Sequence, residues 1–85
     1  DIVCAAISTA AIMSINLLER IIPNRFEVFQ NDQKGYICLE NICYDDIDKE
    51  KVIFIHQIFE NLKDTLLEIQ MKYPKNLHVK IENNE

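Results

Sequence analysis

Val52, Ile55, Phe59, Leu62, Leu66, Ile69 and Tyr73 step through the second half of the chain by three and four residues without a break. This spacing keeps one side of an α-helix apolar for about three heptads, whereas a strand would turn alternate residues to opposite faces. The stretch predicts a long helix closed by Pro74, about 26 residues and about 39 Å in length at 1.5 Å per residue. Ile53, Phe54, Ile58 and Leu67 widen the stripe beyond what one sheet face needs. A second subunit is one expected cover for the excess, and core packing alone is the other. The acids of "YDDIDKE" ahead of it suit a helix N-terminus. Read as a calcium loop, Asp45, Asp46 and Asp48 lack the glycine and the terminal glutamate, so neither a metal nor another cofactor is expected.

The rest of the chain supplies partners for that helix. Residues 2–22 carry Ile2, Val3, Ala6, Ala10, Met13, Leu17 and Ile21 at helical spacing, with small side chains first, bulky ones later and Pro23 as the stop. "RFEVFQ", "NDQKG" and "YICLENI" read as two half-buried strands around a five-residue loop ending in Gly35. "LHVKIE" closes the chain as a strand with Leu77, Val79 and Ile81 on one face and His78 and Lys80 on the other. The order helix, strand, strand, helix, strand predicts an α+β fold, with an antiparallel hairpin and a C-terminal strand packed against two helices. Residues 1–85 are expected to form one domain, and a three-stranded sheet of this kind leaves two edges to be covered.

Composition narrows the function classes. With 85 residues, 48% hydrophobic and 27% charged, one Gly and two Pro, the chain is neither linker nor low-complexity sequence. It is small enough that burial against a partner is expected. A net charge of −5 with Lys and Arg scattered singly disfavours nucleic acid, which needs clustered cations. Ser8, Thr9, Ser14, Asn16 and the pair Glu19 and Arg20 interrupt the most apolar stretch, so no membrane span is expected. An acidic first residue runs against a signal peptide. Cys4, Cys38 and Cys43 are odd in number and lack CxxC spacing, which points away from a disulfide framework and towards a reducing, cytoplasmic setting.

The chemistry concentrates in "DIVCAAIS". With Asp1 as N-cap, Cys4 becomes the third residue of a helix, close to backbone donors and the positive end of the dipole. Such surroundings favour a thiolate over a thiol, and the same N–H groups suit an oxyanion. Ser8 stands one turn further on the same face. From spacing alone, a cysteine and a serine in an Ala-rich helix read equally well as small packing residues. Cys38 and Cys43, in and after the hairpin, read as small buried hydrophobes.

"DIVCAAIS" also resembles the signature of the ribosomal-processing cysteine protease family, found in bacteria whose ribosomal protein carries a removable N-terminal extension. The Ala-rich helix, the hairpin, the long helix and "MKYPKNLHVKIE" are similar to that family over essentially the whole chain. The resemblance implies Cys4 as nucleophile, Asp1 as the acidic residue before the catalytic helix and Ser8 as the hydroxyl one turn along. It further implies a general-base histidine in a Gly-His segment upstream of the cysteine, and two N-terminal strands. Neither lies in these 85 residues, so the chain is read as an N-terminally incomplete protease domain. His56, beside the apolar stripe, and His78, on the last strand, read as structural or surface residues. The implied function is a cytoplasmic cysteine endopeptidase that trims the precursor of protein twenty-seven of the large ribosomal subunit. A homodimer is expected, with no nucleic acid and no membrane as partner. The reading from a different class is a non-catalytic dimeric binding module of the same fold.

Overall fold

The computed structural model describes residues 2–31 and 36–74. Helix α1 (Ile2–Ile21) is followed by strands β1 (Glu27–Asn31) and β2 (Tyr36–Glu40) and by helix α2 (Lys49–Lys72). The fold is α+β in the expected order. Asn31, assigned from sequence to the loop, belongs to β1, and loop residues 32–35 lie outside the described residues, as does the expected strand at 77–82. The two strands pair antiparallel, with Val28 opposite Leu39 and Phe29 opposite Cys38. Glu27 and Glu40 also stand directly opposite each other, a repulsive pairing for like charges. Neutral donors offset it: Asn41 Nδ2 donates to Glu27 Oε2 at 2.8 Å and Cys38 Sγ to Glu40 Oε1 at 3.3 Å.

A chain with one glycine needs other residues for its left-handed turns. Asn24, Asn41 and Asp46 take that role with φ of 60°, 57° and 60°, since Asn and Asp tolerate this region better than other residues with a Cβ. Asn24 leads out of α1 after Pro23, its N–H donating to Glu19 Oε1 at 3.1 Å. The link between β2 and α2 is held by Arg25. Its Nη1 donates to the Asp45 carbonyl at 2.6 Å and to Cys43 Sγ at 3.7 Å, while its own carbonyl accepts from the Cys43 N–H at 2.8 Å. Asp48 is the N-cap of α2 in extended conformation, but its carboxylate makes no capping hydrogen bond. The expected acid at the helix entrance therefore acts through the dipole alone.

Leu18, Ile22, Ile55 and Ile58 form the core, with Phe26, Leu39, Ile42, Ile47 and Phe59 packed around it. Leu18 is 1% exposed and Ile55 is fully buried. Leu18 thus meets the first half of α2, while Ala6 near the start of α1 shares a groove with Ile69 near the end of α2, so the helices run antiparallel.

Two expectations about the helices change. Val3 of the predicted α1 face is buried and Ile21 packs on the core, but Ile2, Met13 and Leu17 are exposed, and Ala11, Leu18 and Ile22 are buried in their place. No charged residue occurs between Ile2 and Leu18, so helical spacing alone could not choose the inward side; packing of Leu18 and Ile22 with Ile55 and Ile58 of α2 does. On α2 the stripe holds at Ile55, but Ile58 joins the core and Tyr73 is exposed. The membrane expectation is also corrected in its premise. At 20 residues α1 is long and apolar enough to cross a membrane, although core helices and signal sequences meet the same measure, and here α1 packs on α2.

Candidate active site

Cys4 is the third residue of α1 and is exposed. At 100° per residue Cys4, Ser8, Ala11, Leu18 and Ile22 lie along one side of the helix. Burial along this line falls towards the N-terminus: Leu18 and Ala11 are buried, Ser8 is half-buried and Cys4 is open to solvent. Leu18 and Ile22, in the C-terminal half of α1, join Ile55 and Ile58 of α2 in the core around which Phe26 and Leu39 pack, and the Cys4 end of that side lies beyond this cluster.

A helix's first N–H groups have no acceptor within the helix, and the macrodipole is positive there. Backbone donors at such an end can hold an oxyanion. Ser8 sits one turn along, on the same side as Cys4 and within the span of a short peptide segment laid beside the helix. Asp1, the third expected member of the site, lies outside the described residues. The structure therefore brings together Cys4 and Ser8.

His56 is not part of that grouping. It follows Ile55, which packs with Leu18, and Leu18 is fourteen residues from Cys4, about 21 Å along α1 at 1.5 Å per residue. His78 lies outside the described residues. Cys38 and Cys43 are half-buried thiols on the hairpin side, engaged with Glu40 and Arg25 respectively. Asp45 offers Arg25 its main-chain carbonyl, and among the described residues no three His, Cys, Asp or Glu side chains gather as a metal site would require.

Sequence reading did not anticipate a groove of about 580 Å³ between the helices. Met13, which lines it, is nine residues from Cys4 and so half a turn away around α1. The groove and the thiol consequently lie on opposite sides of the helix. Three hydroxyls at the groove, Thr9, Ser14 and Thr65, were its only sequence signal, since each sits four residues after a carbonyl it can bond.

A search of the curated proteins and one of the solved structures found no match. The family model described as Cysteine protease Prp matches residues 1–78, nearly the whole chain, including Cys4 in the first turn of α1 and the hairpin and helix α2 that follow. The chain is a member of the Prp cysteine protease family.

Proposed function

We propose that the protein is a cysteine endopeptidase with Cys4 as its nucleophile, acting on the N-terminal extension of protein twenty-seven of the large ribosomal subunit. The observation that carries the reading is the accessible thiol in the first turn of α1, at the open end of a helix side whose burial rises from Ser8 to Leu18. In the reaction the Cys4 thiolate attacks the scissile carbonyl carbon, and backbone N–H groups at the helix start hold the oxyanion that forms. Collapse of this intermediate breaks the C–N bond, and the departing amine takes a proton from an imidazolium. Water then adds to the thioester, giving its proton to the imidazole, and the acid product leaves as the thiol is restored. The imidazole is that of the Gly-His segment which the family resemblance implies upstream of Cys4. Ser8 is proposed to hydrogen-bond to the substrate backbone, and Asp1 to stand before the catalytic helix as the family's acid. A basic ribosomal precursor suits a chain of net charge −5.

The deciding experiment incubates the full-length protein with a peptide spanning the ribosomal extension and its junction. Cleavage that is lost in Cys4→Ala supports the reading. A full-length protein that leaves the peptide intact, or an alanine variant that cuts as well as the parent, removes it.

A further inference from the structure

The core lies far from the thiol. Leu18, the first α1 residue of the cluster formed with Ile22, Ile55 and Ile58, is fourteen residues beyond Cys4, about 21 Å along the helix. Packing at that distance does not hold the first turn, where N–H groups lack intrahelical acceptors and helices fray. Of the described residues Ile2–Ala10, Val3 alone is buried, at 5% exposed, between exposed Ile2 and exposed Cys4. At 100° per residue it falls within about 20° of Ala10 and Ser14, which line the groove together with Leu62 and Ile69 of α2. Val3 therefore faces α2 and, the two helices being antiparallel, does so near the C-terminal end of α2.

On the reading of Cys4 as nucleophile, we propose that Val3 is the positioning residue of the cleavage reaction. Its burial against α2 fixes the first turn of α1, and with it the Cys4 thiol and the N–H groups that hold the oxyanion. A β-branched side chain in a helix has one strongly preferred χ1 rotamer, so seating the two methyls of valine also seats its backbone. Cys4 is the next residue, turned about 100° around the helix from Val3 and open to solvent. Val3 thus takes the burial that an accessible nucleophile cannot take. A frayed first turn keeps the thiol but moves it out of line with the scissile carbonyl carbon, and a displacement of about 1 Å is enough to cost about a hundredfold in rate. Substrate contacts elsewhere are untouched, so the loss falls on kcat and leaves KM nearly as it was.

Full-length Val3→Ala, Val3→Ile and Leu18→Ala are compared with the parent on the peptide spanning the ribosomal extension, below the melting midpoint of every variant. Val3→Ala lowers kcat at least about tenfold with KM within about twofold. Val3→Ile, which keeps an apolar β-branched side chain, and Leu18→Ala, which weakens only the distant core, keep kcat within about threefold of the parent. Hydrogen exchange reads the turn itself, through the amides of Ala6 and Ile7, whose helical acceptors are the Ile2 and Val3 carbonyls. Both exchange at least about tenfold faster in Val3→Ala and at the parental rate in Leu18→Ala. Alanine has the higher helix propensity, so faster exchange reports lost burial. Parental kcat in Val3→Ala overturns the proposal, as does an equal loss of kcat in Leu18→Ala or in Val3→Ile. A parent that leaves the peptide intact removes the protease reading, and exchange then decides by itself: faster rates at Ala6 and Ile7 uphold Val3 as the anchor of the Cys4 turn, and unchanged rates overturn it.

Discussion

Cys4 and Leu18 lie on one side of α1 about four turns apart, the first exposed and the second 1% exposed. One helix thus anchors the core at one end and presents a thiol at the other. Because Cys4 contributes little burial, its chemistry can be removed with little cost to the fold.

Cys4→Ala is expected to abolish cleavage of the extension peptide while changing stability by no more than about 0.5 kcal/mol, the usual range for a surface substitution. Urea unfolding beside the cleavage assay separates the two effects. A loss of several kcal/mol would make the inactive variant uninformative about catalysis and would show Cys4 to be structural.

Alkylation of the folded protein near neutral pH should mark Cys4 before Cys38 and Cys43, which are half-buried and engaged with Glu40 and Arg25. Peptide mapping after timed iodoacetamide exposure gives the three rates. Equal rates in the folded state count against a specially reactive thiol at the helix start.

Leu18→Ala removes a side chain from the centre of the core and should cost about 2–5 kcal/mol, the range for buried leucines. Leu17→Ala, one residue away on the exposed side, should cost clearly less than half of that. Similar losses at the two positions would contradict an inward side of α1 centred on Leu18.

Replacing Asn24 tests the turn chemistry. Ala at a φ of 60° should destabilise by about 1 kcal/mol relative to Asn, whereas Gly should be neutral or mildly stabilising. Thermal melts of the two variants give the order, and an alanine variant as stable as the glycine one would exclude the left-handed conformation.

Lys63 donates to Glu60 Oε2 at 2.7 Å, and this hydrogen bond, with the carboxylate's charge, holds its ammonium above the usual lysine value of 10.5. A raised value in the folded state means that the contribution is complete below 10.5 and fades as pH climbs through the folded value. The pair is solvent-screened, so Glu60→Gln should leave the melting midpoint at pH 7 within error. A midpoint that falls by several degrees would show a stiffer pairing than a surface contact of this kind allows.

How far the sequence reveals this molecule differs between its two helices. The stripe of α2 is flanked by charges, so spacing and polarity together suffice to place Ile55 inward. Helix α1 carries no charge before Glu19, and only tertiary packing with Ile55 and Ile58 decides that Leu18 is buried while Leu17 is exposed. The role of Arg25 was also hidden, because its carbonyl and guanidinium partners lie 18 and 20 residues away and no local pattern records them. The position of Cys4 in the first turn of a helix was legible for another reason: it follows from local helix chemistry and motif in "DIVCAAIS". The exposure at its end of α1 is tertiary.

The uncharged run of α1 also has a consequence during synthesis. The helix that packs on it, α2, ends 51 residues after α1 does, which at ribosomal speeds of about 5–20 residues per second is a delay of about 3–10 s. During that interval the 20-residue apolar helix lacks the Ile55 and Ile58 side chains that complete its core. The pace of translation through residues 49–72 therefore sets how long Leu18 and Ile22 wait for Ile55 and Ile58.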